Sequence, residues 1–186
     1  MSDSHTPNHE PSINRFGDAT VPLQLESTRF GNIEVPEAIV MNFPQGMIGF
    51  PKHTEYVLLK QREDSVFLWL HSTTDPSLAF PVVLPWAFHW EYEVKLSDED
   101  LEAIDVENAS QISIMCVVNV GSDVRKGTIN LFSPIVINND TKLAKQVINT
   151  ADGYSTRDPL FRVAEMPTPV AMHEAEPANV AVLQAA

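Results

Sequence analysis

The segment from Lys126 to Ile148, KGTINLFSPIVINNDTKLAKQVI, constrains the fold of this chain more than any other part of it. Gly127 stands where a hairpin would turn, and Asn138-Asn139-Asp140 has the composition of the next turn. Pro134 interrupts the apolar run between them, as a proline at a sheet edge or in a bulge does. The strand-type apolar residues of the segment are Ile129, Leu131, Ile135, Val136 and Ile137. The segment therefore predicts two strands with their turns, and it carries no catalytic chemistry.

A length of 186 residues predicts one folded domain with loose ends. Residues 1–20 are polar and aperiodic, and residues 161–186 are rich in Pro, Ala and Glu. Both segments are predicted to be disordered tails around a domain at residues 21–160. No apolar run approaches the ~18 residues of a membrane span, and the N-terminus lacks the basic and apolar regions of a secretory signal. We therefore expect a cytoplasmic protein that makes no membrane contact.

The formal net charge of −13 disfavours direct binding to nucleic acid, which requires clustered Lys and Arg. The segment from Glu91 to Glu107 contains eight acidic residues and one basic residue, Lys95. Such a patch could steer a basic protein partner by long-range attraction. Its alternative interpretation is a solvated helix face that keeps the protein soluble.

Short apolar segments bounded by Gly, Pro, Asn or Asp predict an antiparallel β architecture. Leu23 and Leu25 begin a first hairpin, in which the pair Gly31-Asn32 precedes the second strand, Ile33–Val35. The run VFLWL is apolar on both faces, which favours a central position. The further predicted strands are Glu37–Phe43, Tyr56–Leu59, Val66–Leu70, Leu78–Leu84, Gln111–Val120, Thr128–Phe132, Pro134–Asn138 and Lys145–Ile148. Helix propensity leaves a short helix open as the alternative for Lys142–Asn149.

One helix is predicted from Ser97 to about Ile104. Ser97 is its N-cap, acidic residues occupy the positive first turn, and Leu101 and Ile104 form its buried stripe. So many strands must close up or pack as two layers, because open edges invite aggregation. We therefore predict a mainly β fold: a single distorted antiparallel β-barrel with one short helix and disordered termini.

The sequence contains none of the phosphate-cradle, dinucleotide, zinc-protease or hydrolase signatures that an enzyme of this size would show. His53, His71 and His89 lie far apart without Cys, Asp or Glu at ligand spacing, so no metal site is predicted. The single cysteine, Cys116, sits in an apolar run and is predicted to be a buried core thiol. We expect a protein that is not an enzyme and holds no cofactor.

Two segments carry candidate contact residues. In FPQGMIGF, Met47 and Ile48 either form a structural turn or project as an exposed apolar tip for a partner. In PWAFHWEY, the aromatic residues would form a ridge if the segment is extended. That ridge could cap the barrel or serve as an interface beside the acidic segment. The alternating aromatic residues are Trp86, Phe88, Trp90 and Tyr92.

Four motifs, FPQGMIGF, LHSTTDPSLAF, TINLFSPIVINND and KQVI, occur in this order between Phe43 and Ile148. Together they resemble the bacterial flagellar assembly factor family FliW, in which the same order is found. Pro51 stands where the family often has an acid, and Thr73-Thr74 precede Asp75 where a second acid is common. The resemblance implies a small, mostly β, cytoplasmic and non-catalytic protein.

The resemblance also implies two alternative protein partners. One is flagellin, held before export, and the other is CsrA, a small dimeric RNA-binding regulator that represses flagellin translation. As flagellin is secreted, freed FliW captures CsrA and relieves the repression. FliW proteins antagonise CsrA allosterically, away from its RNA-binding surface. The alternatives are a chaperone dedicated to flagellin, without CsrA binding, and a β-barrel that binds a small molecule in an aromatic-rich lining.

Specific residues are assigned to these roles. The predicted partner-binding residues are Met47, Ile48, Trp90, Tyr92, Asp98, Glu99, Glu102, Asn138 and Asn139. The predicted structural core contains Phe43, Trp69, Phe80, Leu131 and Ile135.

Overall fold

The computed structural model describes residues 22–161 and the short strand Leu183–Gln184. The strands are β1 (Leu23–Ser27), β2 (Gly31–Val35), β3 (Met41–Asn42), β4 (Glu55–Lys60), β5 (Leu68–Ser72), β6 (Ala79–Val83), β7 (Ile112–Asn119), β8 (Thr128–Ile129), β9 (Ile135–Asn138), β10 (Ala144–Gln146), β11 (Asp158–Pro159) and β12 (Leu183–Gln184). The helix α1 is Asp98–Glu102, and short 3-10 helices span Glu37–Ile39, Pro85–Ala87, Ala109–Gln111 and Val124–Lys126. The predicted N-terminal tail, and all of the predicted C-terminal tail except Phe161 and β12, lie outside the described residues.

The described strands form one large sheet and one small sheet. The large sheet has ten strands, with the order β10-β9-β7-β6-β5-β4-β12 along its main path. The strand β3 also pairs with β4, while β8 pairs with β7 and β11. All of these pairs are antiparallel except that of β12 with β4. The small sheet is the antiparallel pair β1–β2.

The prediction of a closed barrel is not confirmed, because the ladders of the described strands form an open path from β10 to β12. A single isolated parallel bridge joins Asn42 to Leu143, near the two ends of this path. The backbone N–H of Asn42 donates there to the Lys142 carbonyl at 2.9 Å. The contact does not extend into a ladder because β3 is only Met41–Asn42. The predicted strand Glu37–Phe43 is wrong in its first part, where a 3-10 turn at Glu37–Ile39 follows Pro36.

The first predicted hairpin is confirmed, but its turn lies earlier than expected. Ser27 pairs with Gly31, so the turn comprises residues 28–30 rather than Gly31-Asn32. The Ser27 hydroxyl accepts hydrogen bonds from the backbone N–H groups of Arg29 and Phe30 at 3.2 and 3.1 Å. The same hydroxyl lies 2.8 Å from Nε2 of His71 on β5. This side chain therefore closes the turn and ties the small sheet to the large one.

The segment around Pro134 forms the predicted pair of strands with an interruption between them. Both β8 and β9 pair with β7, with Ile129 opposite Val118 and Ile135 opposite Met115. The chain from Ile129 to Ile135 is longer than the β7 stretch that it faces, so the residues between β8 and β9 bulge out of the ladder. Pro134 ends this bulge, as its missing N–H requires.

The fully buried core contains three of the five predicted core residues. Phe43, Leu131 and Ile135 are fully buried, and so is Cys116. The remaining two, Phe80 and Trp69, are half-buried and pack against buried clusters. The run VFLWL ends inside β5, a central strand, as its two apolar faces predicted.

Two further sequence predictions concern the region around α1. The helix is confirmed, and β10 shows that the Lys145 segment is a strand rather than a helix. Ile104 is buried with Val136 and Val147, which anchors the end of the helix to the sheet. Among the described residues, no helix is both long and apolar enough to cross a lipid bilayer.

Candidate interaction surfaces

The helix α1 presents the predicted acidic residues to solvent. The Ser97 hydroxyl accepts from the Asp100 N–H at 3.1 Å, while the Asp100 carboxylate accepts from the Ser97 N–H at 3.4 Å. This capping box satisfies two backbone donors at the helix start. Asp98, Glu99 and Glu102 are exposed on the resulting turn. Three carboxylates are therefore held on a short structured element rather than on a free loop.

A half-buried ion pair fixes α1 against the edge strand β10. Lys145 Nζ lies 2.8 Å from Oδ1 of Asp100, and each side chain is about one-fifth exposed. Burial acts to raise the pKa of Asp100, but the hydrogen bonds from Lys145 and Ser97 outweigh it and lower the pKa overall. The carboxylate is consequently ionised over the whole physiological range and holds the helix in place.

In the FPQGMIGF loop, the two predicted contact residues Met47 and Ile48 differ in exposure. Gly46 adopts a φ of +66°, and a Cβ added there would lie 2.6 Å from the Phe50 carbonyl oxygen. This tight turn folds the loop back, so that Met47 is only 3% exposed and packs in the main core cluster. The prediction that Met47 projects to a partner is therefore wrong. Ile48 is 57% exposed, as predicted for a contact residue.

The loop also contacts β10. The backbone N–H of Ile48 donates to Oε1 of Gln146 at 3.0 Å, and Nε2 of Gln146 donates to the Ser133 carbonyl at 3.1 Å. Gln146 follows Lys145, and successive strand residues point to opposite faces. The exposed Ile48 and the acidic helix therefore lie on either side of the same edge strand.

The aromatic segment does not form the predicted extended ridge. Pro85 starts a 3-10 turn at Pro85–Ala87, which replaces the alternation that an extended segment would give. Trp90 is 66% exposed, whereas Tyr92 is buried. The Tyr92 hydroxyl donates to the Leu131 carbonyl at 2.9 Å, and burial raises its pKa. The prediction of Tyr92 as a contact residue is wrong because this hydroxyl is used inside the core.

The predicted asparagine contacts are also largely internal. Asn138 is fully buried, and its Nδ2 donates to the carbonyls of Ile104 and Asp105 at 2.9 and 2.8 Å. Its Oδ1 accepts from the Asp140 N–H at 2.9 Å. Asn138 is thus a structural residue that joins the β9 turn to the end of α1, and its assignment to a partner contact is wrong. Asn139 is half-buried, and its Oδ1 accepts from the Ser113 hydroxyl at 2.9 Å.

Sequence reasoning did not identify Asn149, which plays a similar structural role. Asn149 is buried, its Nδ2 donates to the Glu93 carbonyl at 2.8 Å, and its Oδ1 accepts from the Lys95 N–H at 3.1 Å. It therefore fixes the irregular segment that leads from Trp90 to α1. The available signal was its position at the end of the predicted Lys145–Ile148 strand, next to turn-forming residues.

The single cysteine of the chain, Cys116, is a buried free thiol. Burial raises the pKa of Cys116 to about 12, so this thiol is protonated at neutral pH. Among the described residues, no group of three His, Cys, Asp or Glu side chains could hold a metal ion. Two surface hollows of about 390 and 320 Å³ contain no Phe, Tyr or Trp in their linings. These two hollows do not match the aromatic-lined ligand site of the small-molecule alternative.

The open antiparallel sheet and the exposed acidic helix at its edge strand define a small, mainly β protein with candidate contact residues on its surface. Residues 24–160 match the family described as FliW protein. The chain belongs to the FliW family.

Several relatives and one solved structure support this membership. The flagellar assembly factor FliW of Natranaerobius thermophilus is 35% identical over 140 residues, which cover 75% of this chain and 93% of that protein. The Geobacter sulfurreducens protein of the same name is 37% identical and covers 75% of this chain and 87% of its own length. The Bacillus subtilis protein is 33% identical, with 70% and 91% covered. A crystal structure of the flagellar assembly factor FliW matches with a TM-score of 0.70 at 31% identity, covering 75% of this chain and 97% of that one.

Proposed function

We propose that this chain is a non-catalytic, cytoplasmic flagellar assembly factor that binds flagellin and, in alternation, CsrA. Binding to CsrA would antagonise it allosterically and relieve repression of flagellin synthesis. The observation that carries this proposal is the family match over residues 24–160, which spans nearly the whole described domain. Relatives with 35% and 37% identity are named flagellar assembly factors.

The charge distribution supports a basic protein as one partner. Asp98, Glu99 and Glu102 are exposed on α1, while the capping box and the Lys145–Asp100 ion pair restrict the movement of the helix. Charges that are held in place lose little conformational entropy when a partner binds. They also raise the rate of encounter with an oppositely charged surface. A net charge of −13 favours a protein partner over a nucleic acid.

The proposed contact surface follows from the exposed members of the predicted set. Ile48 and Trp90 supply exposed apolar area, of the kind that concentrates binding energy at interfaces. Ile48 and α1 flank β10 through contacts with Gln146 and Lys145, so one partner could reach both. The proposed contact residues are therefore Ile48, Trp90, Asp98, Glu99 and Glu102. Asn139, which is half-buried, is a further candidate.

Titration calorimetry of the full chain tests this function. The chain is titrated against flagellin and against CsrA separately, and each titration is repeated with the other partner already bound. We expect binding to both with mutual exclusion. Binding to flagellin alone would instead indicate the dedicated chaperone. Binding to neither partner would overturn the proposal and direct attention to a small-molecule ligand.

A further inference from the structure

The strand β4 is paired along its outer edge by two different segments of the chain. The strand β3 pairs with its start, at Glu55–Tyr56, and β12 pairs with its end, where Leu183 lies opposite Leu59 and Gln184 opposite Lys60. The β12 pairing is parallel, unlike the other ladders of the sheet. The outer edge of β4 is therefore occupied at its start by the preceding strand and at its end by a strand from the far C-terminal part of the chain.

The strand β12 comes from beyond the part of the chain that matches the family. The family match ends at residue 160. The Natranaerobius thermophilus relative is 93% covered by a match that uses only 75% of this chain. A segment beyond the family match therefore supplies a strand to the edge of the matched domain.

The backbone geometry of β4 identifies the group that β12 covers. The Glu55 carbonyl accepts from the Thr73 N–H on the β5 side, whereas the Thr54 carbonyl accepts from the Phe43 N–H on the outer side. Because backbone groups alternate in direction along a strand, the N–H and C=O of Lys60 point outward, toward β12. An unpaired edge of this kind is a template for another chain.

The surroundings make an unpaired edge costly at this position. Val57 and Leu59 are fully buried beneath the small sheet, where they pack with Leu25 and Val35. Backbone polar groups beside such an apolar cluster need hydrogen-bond partners when water is excluded. A strand added along the outer edge supplies them, as extended peptides do when they add to exposed sheet edges.

We propose that the C-terminal segment is an intramolecular strand that occupies a strand-addition site on β4 and excludes an extended segment of another chain. Two paired residues form a short ladder, so the contact is easily opened. It persists because attachment to the same chain gives the segment a high effective concentration. The inference concerns the β4 edge and does not rest on the proposed partners.

The test uses the full chain with two prolines in the C-terminal strand, Leu183→Pro and Gln184→Pro. The matched control carries Ala171→Pro and Met172→Pro, which add the same residues to the same segment outside β12. Amide hydrogen exchange is measured at Lys60. We expect exchange about tenfold faster in the β12 variant than in wild type, with the control unchanged. Proline cannot donate from β12, so the ladder opens and the Lys60 N–H loses its carbonyl acceptor.

A second measurement asks whether the opened edge accepts a strand from outside. A synthetic peptide of residues 178–186, ANVAVLQAA, is titrated against each protein. We expect the β12 variant to bind it at least about tenfold more tightly than wild type or the control, because the resident segment competes for the edge. Equal Lys60 exchange in wild type and the β12 variant would overturn the proposal, as would peptide binding that does not differ between them. Coincident thermal unfolding of the two variants shows that both are folded.

Discussion

Lys145 on the edge strand β10 and Asp100 on α1 form an ion pair of 2.8 Å that joins the acidic helix to the large sheet. Asp100 is also the third helical residue of the capping box started by Ser97. The Asp100 carboxylate therefore both caps the start of the helix and ties the helix to β10. Since Asp98, Glu99 and Glu102 belong to the same short helix, the placement of the proposed contact acids depends on Asp100.

The first prediction concerns the acid stability that Asp100 contributes. Its folded-state pKa is lowered, so its contribution is complete above the ordinary carboxyl pKa and is lost as pH falls through the lowered value. Asp100→Asn should reduce the free energy of unfolding by about 1 kcal/mol at neutral pH. Urea unfolding at a series of pH values should show this difference shrinking below about pH 4.

Asp98→Asn provides the control for that experiment. Asp98 lies in the same first helical turn, but within the described part of the chain it forms no ion pair like that of Asp100 with Lys145. If both variants showed the same change with pH, the helix dipole rather than the contacts with Lys145 and Ser97 would be responsible.

Local patterns in the sequence predicted those elements whose cause is local. Ser97 followed by acidic residues identified α1, because a cap acts through neighbouring backbone groups. Gly127 and the asparagine turn framed β8 and β9 for the same reason. The burial of Met47 has no such local cause. It depends on the positive φ of Gly46, which the sequence leaves open, and on the core cluster that Met47 joins.

Long-range hydrogen bonds explain the errors at Asn138 and Tyr92. Asn138 has the composition of an exposed turn residue, yet it is buried because it binds carbonyls at the end of α1, more than thirty residues earlier. Tyr92 is internal because its hydroxyl reaches Leu131, in the bulge between β8 and β9. In both cases the hydrogen-bond partner is distant in the sequence. The open barrel has a local cause instead, because the 3-10 turn after Pro36 leaves β3 with only two residues.

The second prediction tests electrostatic steering by α1. Reversal of Asp98, Glu99 and Glu102 to Lys should slow association with CsrA several-fold at low salt and weaken the salt dependence of the rate. Stopped-flow mixing at two ionic strengths measures both effects. The control reverses three exposed acids elsewhere, Glu37, Glu63 and Asp152, which changes the net charge equally. Equal rates for the two variants would assign the effect to total charge and remove α1 from the proposed surface.

The third prediction separates the two residues of the FPQGMIGF loop. Met47→Ala should lower the free energy of unfolding by about 2–5 kcal/mol, because it leaves a cavity beside Phe43 and Tyr56. Ile48→Asp should change stability by less than about 0.5 kcal/mol, since Ile48 is 57% exposed and only its backbone N–H is bonded to Gln146. The same variant should weaken binding to flagellin or to CsrA in calorimetry. Wild-type affinity for both partners would remove Ile48 from the proposed surface.

The fourth prediction compares two buried tyrosines that differ in their hydrogen bonds. Within the described residues, the Tyr56 hydroxyl is buried without a hydrogen-bond partner, whereas the Tyr92 hydroxyl donates to Leu131 and accepts from Asn149 at 3.3 Å. Tyr56→Phe removes a group whose burial is uncompensated, so it should raise the free energy of unfolding by about 1 kcal/mol. Tyr92→Phe should lower it by about 1–2 kcal/mol, because the Leu131 carbonyl and the Asn149 amide lose their partner. Thermal and urea unfolding of both variants provide the measurement.

Tyr56 should also change how the free energy of unfolding depends on pH in the alkaline range. Burial raises the pKa of Tyr56 from 10.0 to about 12, so the unfolded chain loses this proton first as the pH rises. The stability that depends on a neutral Tyr56 is therefore complete below pH 10 and is lost as the pH approaches 12. Tyr56→Phe should flatten this decline in urea unfolding between these pH values. A loss of stability at neutral pH would show that the Tyr56 hydroxyl has a stabilising partner in solution. A decline as steep as that of wild type would show that another group causes it.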